Sequence, residues 1–294
     1  MTGFLAEIGS KLADRWAALL ALPGLLYLAA VTAAAVLGQQ HALSYPFLSG
    51  KITSWADSPV LRSAGGAVLI VAAVLAGSVF AGLAATAGGT FVETLWTLPG
   101  RHAPARWLAE WRKRRSRTAK AIADNPRSSA TQVDKAIRRA DRICLIEPDC
   151  PTWIGDRLRA CHVRIARTYG LDLTAAWPRL WLIVPDTVRT ELGGARDAFS
   201  AATRLTAWAV FYLILGAWWW PALPIALITG ATAVIKGRVA TGNLADLIES
   251  AVDLHGRELG PQLGLPGPLT PALGRQLTAR MLKSRWDPNS ALAE

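Results

Sequence analysis

Charge is what this chain has little of. Asp, Glu, Lys and Arg make up 18% of it, against 52% hydrophobic residues, where a soluble domain averages about 25% charged. That supply does not cover the surface of a water-soluble chain of 294 residues, so membrane spans are the first thing to look for. Cysteine is also scarce. Cys144, Cys150 and Cys161 are odd in number and fit no structural zinc spacing, which excludes a disulfide framework and leaves reduced thiols in a cytoplasmic region. Histidine occurs only at positions 41, 102, 162 and 255. Cys161 and His162 with Cys144 and Cys150 would offer four soft ligands, but thiols packed on helices are the stronger expectation, so no metal and no cofactor is expected. P-loop, GxGxxG, HExxH and GxSxG patterns are missing. Glu147 and Asp149 flank Pro148 and read as a solvated turn rather than an acid–base pair. No catalytic residue stands out, and the chain is not expected to be an enzyme.

What is present is apolar length. No charged residue occurs from Trp16 to Gly38, a run of 23 positions. At 1.5 Å per residue it crosses a hydrocarbon core of roughly 30 Å. It is too long, and its flank with Glu7 and Asp14 too acidic, for a signal peptide. A second run, Ala64 to Gly89, has 26 uncharged residues, with Gly77, Ala81 and Ala85 on one line and Ser78, Gly82 and Thr86 on the next. Small residues at four-residue steps let helices approach closely in lipid. Two shorter runs, 205–220 and 221–235, form one helical hairpin, with a re-entrant pair as the alternative. Between them Trp218, Trp219 and Trp220 precede Pro221. They read as an aromatic belt and a turn. Thirteen Trp against six Phe fits a chain with many positions that are apolar on one side and wet on the other.

Basic residues set the orientation. The loop 39–63 holds only Lys51 and Arg62. Residues 90–204 hold 21 basic and 12 acidic residues, a net +9, and the tail from Lys236 holds seven more basic residues. The positive-inside rule then places the N-terminus, residues 90–204 and the C-terminus in the cytoplasm, with the spans in the inner (plasma) membrane. The stretch RWLAEWRKRRSRTAK, Arg106 to Lys120, carries seven of these basic residues and two tryptophans. On a helix Trp107 and Trp111 share a side, with Arg112, Lys113, Arg114 and Arg115 around them. That combination predicts contact with anionic headgroups at the inner membrane face. No nucleic-acid-binding fold surrounds it, so no nucleic acid is expected as partner.

The expected architecture is all-α: an integral membrane protein with four transmembrane helices, the last two a hairpin extended into cytoplasmic stalk helices, plus a small helical cytoplasmic domain. Residues 1–15 form an amphipathic lead-in, 16–38 the first span, 39–63 an external loop and 64–89 the second span. The cytoplasmic domain is 90–204, with its stalk helix at 186–204. Residues 236–259 form the second stalk helix, and 260–294 a Gly/Pro linker with a terminal helix. Thr131 and Asp134 read as a capping box for a helix through Val133, Ile137, Ala140 and Cys144. Pro151 and Thr152 start a helix that Gly170 ends. Trp177 to Asp186 reads as a short apolar segment. Val188, Leu192, Ala195, Phe199 and Ala202 make a 4-3-4-3 seam, and Leu244, Leu247, Ala251 and Leu254 a 3-4-3 seam. In antiparallel stalks the two could bury on each other. Thr270 and Pro271 cap a last helix with Leu273, Leu277 and Met281.

PTWIGDRLRA, Pro151 to Ala160, and YGLDLTAAWPRLWLIVPD, Tyr169 to Asp186, resemble an uncharacterised family of bacterial multi-pass membrane proteins, as does the ending Asp246 to Pro266. The resemblance covers roughly the C-terminal half and implies the four-span layout. It carries no catalytic residue.

Two functions fit. One is a homo-oligomeric channel gated by its cytoplasmic domain, with Ser78, Thr86, Thr229 and Thr232 as pore-lining hydroxyls. The absence of ionisable groups inside the spans argues against an ion-coupled carrier. The other is a non-conducting membrane scaffold that recruits a cytoplasmic protein partner. A homo-oligomer is expected either way.

Overall fold

In a computed structural model the described residues are 21–100, 103, 105–124, 129, 131–135, 138 and 146–283. The lead-in at 1–15, the start of the first span, Cys144 and the end of the terminal segment lie outside them. Every element among the described residues is helical. In chain order they are α1 (Leu22–Leu37), α2 (Tyr45–Ala56), α3 (Pro59–Arg62), α4 (Ala64–Thr97), α5 (Ala105–Ala123), α6 (Trp153–Tyr169), α7 (Leu173–Ile183), α8 (Asp186–Leu215), α9 (Ala222–His255), α10 (Leu259–Gln262) and α11 (Pro271–Leu282). A short helical stretch occupies 131–135 and a 3₁₀ turn Gly256–Glu258.

Three helices are long and apolar enough to cross a membrane: Ala64–Thr97, Asp186–Leu215 and the run Ala222–Gln262. Leu22–Leu37 is apolar but, with 16 described residues, shorter. The chain is therefore an all-helical, multi-pass membrane protein. It divides into two compact units, one of residues 1–93 and 200–235, the other of 94–199 and 236–294. Helices α4, α8 and α9 have residues in both.

The first unit packs through small residues, as lipid requires, because hydrocarbon gives two helices no hydrophobic reason to associate. On α4 the buried positions Ser78, Ala81, Gly82, Ala85 and Gly89 follow a helical line. Ser78 donates its hydroxyl to the Ala21 carbonyl at 2.9 Å. Gly24 of α1 lies so close that a Cβ there would fall 2.1 Å from the Ser78 carbonyl oxygen. Beside this contact Tyr27 sits among Trp208, Phe211 and Tyr212, with ring centroids 5.4–5.8 Å away. The 216–221 turn between α8 and α9 is tied to the chain after α1. Gln39 donates to the Ala217 carbonyl at 3.0 Å and accepts from the Trp220 N–H at 3.3 Å. Trp219 donates its indole N–H to the Ala42 carbonyl at 3.0 Å. The segment 39–63, expected as a loop, contains α2 and α3; Pro46 at the start of α2 supplies a preset φ.

The second unit has an apolar core of the soluble kind. Leu171, Leu180, Leu259 and Leu277 are fully buried in it, together with Val252. A second cluster joins Leu192 of α8 to Leu244 and Ala251 of α9, with Val188, Ala195 and Leu247 against it. Thr152 caps α6 by accepting from the Gly155 N–H, and Gly170 ends it at φ 64°. Thr270 caps α11, which buries Leu277 and Met281. Two local expectations shift. The apolar stretch from Trp177 belongs to α7, which begins earlier because Asp172 accepts from the Thr174 and Ala175 N–H groups. Pro178 is then internal to the helix and leaves the Thr174 carbonyl without its usual donor. Secondly, the capping box lies two residues earlier than expected. Ser129 and Gln132 exchange side-chain bonds to each other's N–H, and Asp134 instead pairs with Arg138.

The α1–α4 contact makes a direct prediction. Gly24→Leu should lower stability in detergent by about 1–3 kcal/mol, the cost of overpacking. Ser78→Ala should cost only about 0.6 kcal/mol, the mean for a hydrogen bond between membrane helices. Thermal unfolding of the two variants gives the ranking, and equal losses would mean that the hydroxyl rather than the close approach holds the pair.

Candidate membrane-surface site

Helix α5 has two faces of different character. Ala105, Ala109, Arg112 and Ser116, spaced 4-3-4, point inward; the two alanines and the serine are buried. Trp107 and Trp111 are 73% and 53% exposed, and Leu108 is exposed beside them. Arg114 and Arg115 are exposed on the same face, with the Arg115 guanidinium 5.2 Å from the centre of the Trp111 ring. The result is an apolar aromatic strip flanked by cations.

A buried carboxylate fixes this helix. Asp156, on the first turn of α6, is 2% exposed, and Arg112, reaching it from α5, is 11% exposed. The guanidinium donates to Asp156 Oδ2 at 2.6 Å and to the Cys150 carbonyl at 2.7 Å. Asp156 Oδ1 accepts the N–H groups of Asp149 and Cys150, each at 2.9 Å. One carboxyl group thus holds a helix and a loop against α6. Thr152 donates to the Trp96 carbonyl at the end of α4. Gly155 follows from that closeness, since a Cβ there would stand 2.7 Å from the Trp96 oxygen and 3.0 Å from Cys150 Cβ. The Pro-Thr-x-x-Gly stretch therefore docks α6 onto two neighbours. At the rim Glu147 bonds Arg117 at 2.7 Å, with Lys113 at 3.6 Å. The Arg117 hydrogen bond, with Lys113 adding to it, holds the Glu147 carboxyl below its ordinary range.

The six residues expected at a lipid surface thus divide. Trp107, Trp111, Arg114 and Arg115 lie outward, Lys113 is half-buried toward Glu147, and Arg112 turns inward to Asp156. Of the aromatic belt, Trp218 and Trp220 are exposed and Trp219 is half-buried. The four candidate pore hydroxyls lie in the first unit. Ser78 is fully buried and bonded to Ala21. Thr86 and Thr232 each donate to the carbonyl four residues earlier, Gly82 at 2.9 Å and Ile228 at 2.8 Å. Thr229 is half-buried.

Sequence reasoning missed Asp156 and a second ionic group. Arg157, itself buried, bonds Asp246 and reaches Glu249 at 3.2 Å, and Arg164 reaches Glu249 at 3.3 Å, joining α6 to α9. Cys150 and Cys161 are free and buried. Burial, with Asp156 adding to it, pushes the Cys150 thiol up to about 11, and burial, with Glu249 adding to it, pushes Cys161 up to about 12. Among the described residues no cluster could hold a metal ion. No family model matches the chain, and no curated protein or solved structure matches it either.

Two outcomes are expected. Asp156→Ala strands the Arg112 charge and should cost about 3–5 kcal/mol in denaturant unfolding. Arg112→Met combined with Asp156→Asn should recover most of that loss; an additive double variant would mean the pair is not the coupling. Both thiols are held neutral in the fold. Their contribution to stability should be complete below their ordinary value near pH 9 and fall as pH rises through about 11. Iodoacetamide at pH 8 should modify Cys150 and Cys161 only after unfolding, and mass mapping of the modified peptides reads this directly.

Proposed function

We propose that this protein is a membrane-embedded anchor whose basic helical domain lies against an anionic membrane face and recruits a cytoplasmic protein partner. The observation that carries this is the outward face of α5, where Trp107, Leu108 and Trp111 lie exposed between Arg114 and Arg115. Tryptophan favours the headgroup level, and each cation near an anionic leaflet contributes about 1 kcal/mol. In this proposal Leu22–Leu37 is part of a fourth span, the last two spans form a hairpin, and both termini face the cytoplasm of a bacterial cell, at the inner membrane. The likeness to bacterial multi-pass proteins in Pro151–Asp186 supports the same layout. The α8 and α9 segments that share Leu192, Leu244 and Ala251 are its stalk. The protein is a homo-oligomer, assembled through membrane helices.

The second reading is a gated channel. It is favoured by α4, α8 and α9, each an unbroken helix with residues in both units and so suited to pass a displacement along its length. Against it, Ser78 is fully buried, with its hydroxyl on the Ala21 carbonyl.

The two readings separate in proteoliposomes. The anchor predicts no ion flux over a range of pH. It also predicts that a nitroxide on Trp107→Cys is more accessible to oxygen than to a water-soluble nickel chelate. Sustained flux would favour the channel, and a nitroxide that meets mainly the aqueous chelate would remove the membrane-surface role of α5. Light scattering in mild detergent tests the assembly, which a monodisperse monomer would contradict.

A further inference from the structure

Helix α2 is unusual for its length: none of its 12 residues is buried. Phe47, Ile52 and Trp55 are exposed although they are large and apolar. A helix so unsupported by its own chain needs an apolar neighbour to cover it. Beside it runs a groove of about 680 Å³, floored by Leu25, Ala29 and Ala33 of α1, walled by Leu48 and Ile52 of α2, and touched by Val74 of α4. That volume falls among sites for small ligands, about 300–1,000 Å³. Along α1 the lining extends from Leu22 to Val36, about 21 Å at 1.5 Å per residue.

The groove makes almost no polar demand. Its one hydroxyl, Thr32, already donates to the Leu28 carbonyl at 2.8 Å. Its one charge is Lys51, which lines it and has no ion pair among the described residues. The neighbouring acid, Asp57, is taken by Arg62 at 2.7 Å. Trp55 lines the groove as well, a residue type that prefers the headgroup level. A long apolar slot with one cation unpaired among the described residues calls for a ligand with a hydrocarbon chain and one negative group.

We propose that this groove binds one anionic phospholipid, with an acyl chain along α1 and the phosphate on Lys51. A zwitterionic lipid fits less well, because its headgroup cation meets the Lys51 ammonium. The inference rests on the membrane-embedded class of the chain and is independent of the anchoring role proposed for α5.

The test uses the full chain in detergent, with Arg114 and Arg115 changed to Gln so that lipid on α5 does not contribute. Native mass spectrometry during titration with dioleoyl phosphatidylglycerol and dioleoyl phosphatidylcholine counts the lipids retained. One phosphatidylglycerol per chain is expected, preferred about fivefold over phosphatidylcholine. Lys51→Gln should abolish the preference. Ala29→Phe, which fills the groove floor, should abolish retention of that lipid while far-UV circular dichroism stays unchanged. Equal retention of the two lipids overturns the proposal, as does a preference that survives Lys51→Gln. If Ala29→Phe leaves retention intact but splits an oligomer into monomers, the groove seats a second copy of the chain and the lipid assignment is wrong.

Discussion

Asp156 is a carboxylate removed from water, held by three donors in a space that excludes solvent. Removing such a charge from water costs several kcal/mol, recovered only by close pairing and further hydrogen bonds. Here two backbone N–H groups take one oxygen and the Arg112 guanidinium takes the other. The geometry of α5 follows from this requirement. Once Arg112 must point inward, the positions roughly 100–160° round the helix from it must point outward, and those hold Trp107, Trp111 and Arg114. The exposed aromatic face is the other side of a buried ion pair.

The two units solve their packing in different currencies of contact. In residues 1–93 and 200–235, helices meet where side chains are smallest, at Gly24 against Ser78 and along Ala81 and Ala85. In residues 94–199 and 236–294, bulky leucines fill a core and ion pairs tie its helices, as Arg157 does between α6 and α9. The division matches the solvent each composition suits. Hydrocarbon supplies no hydrophobic drive and rewards close backbone approach, whereas water drives large side chains together.

Periodic features were legible in the sequence and pairings across the chain were not. The caps at Thr152, Gly170 and Thr270 and the seams at Leu192 and Leu244 depend on neighbours within a turn or two, so local pattern reveals them. Arg112 and Asp156 are 44 positions apart. In a run of four consecutive cations nothing local distinguishes the one that turns inward. Its small neighbours Ala105, Ala109 and Ser116 carry a faint signal, since they lie on the same side of the helix at 4-3-4 spacing. Helix α2 was hidden for a different reason: none of its residues is fully buried, and the short 4-3 stripe of Leu48, Ile52 and Trp55 is interrupted by Ser49, Gly50 and Lys51 in a segment that reads as a loop. The stretch from Trp177 read as a separate short apolar segment, whereas the Asp172 cap and the burial of Leu173, Ala176 and Leu180 make it the second half of a helix that runs through Pro178.

Gln39 bears on how this sequence can drift. Its amide reads the turn after α8 through main-chain groups only, donating a hydrogen bond to the Ala217 carbonyl and accepting one from the Trp220 N–H. Backbone groups are the same whatever side chain they carry. The aromatic residues at 218 and 220 can therefore be exchanged with no loss to this clamp, while an insertion or deletion between 217 and 220 breaks both bonds at once. The turn tolerates substitution and resists a change of length.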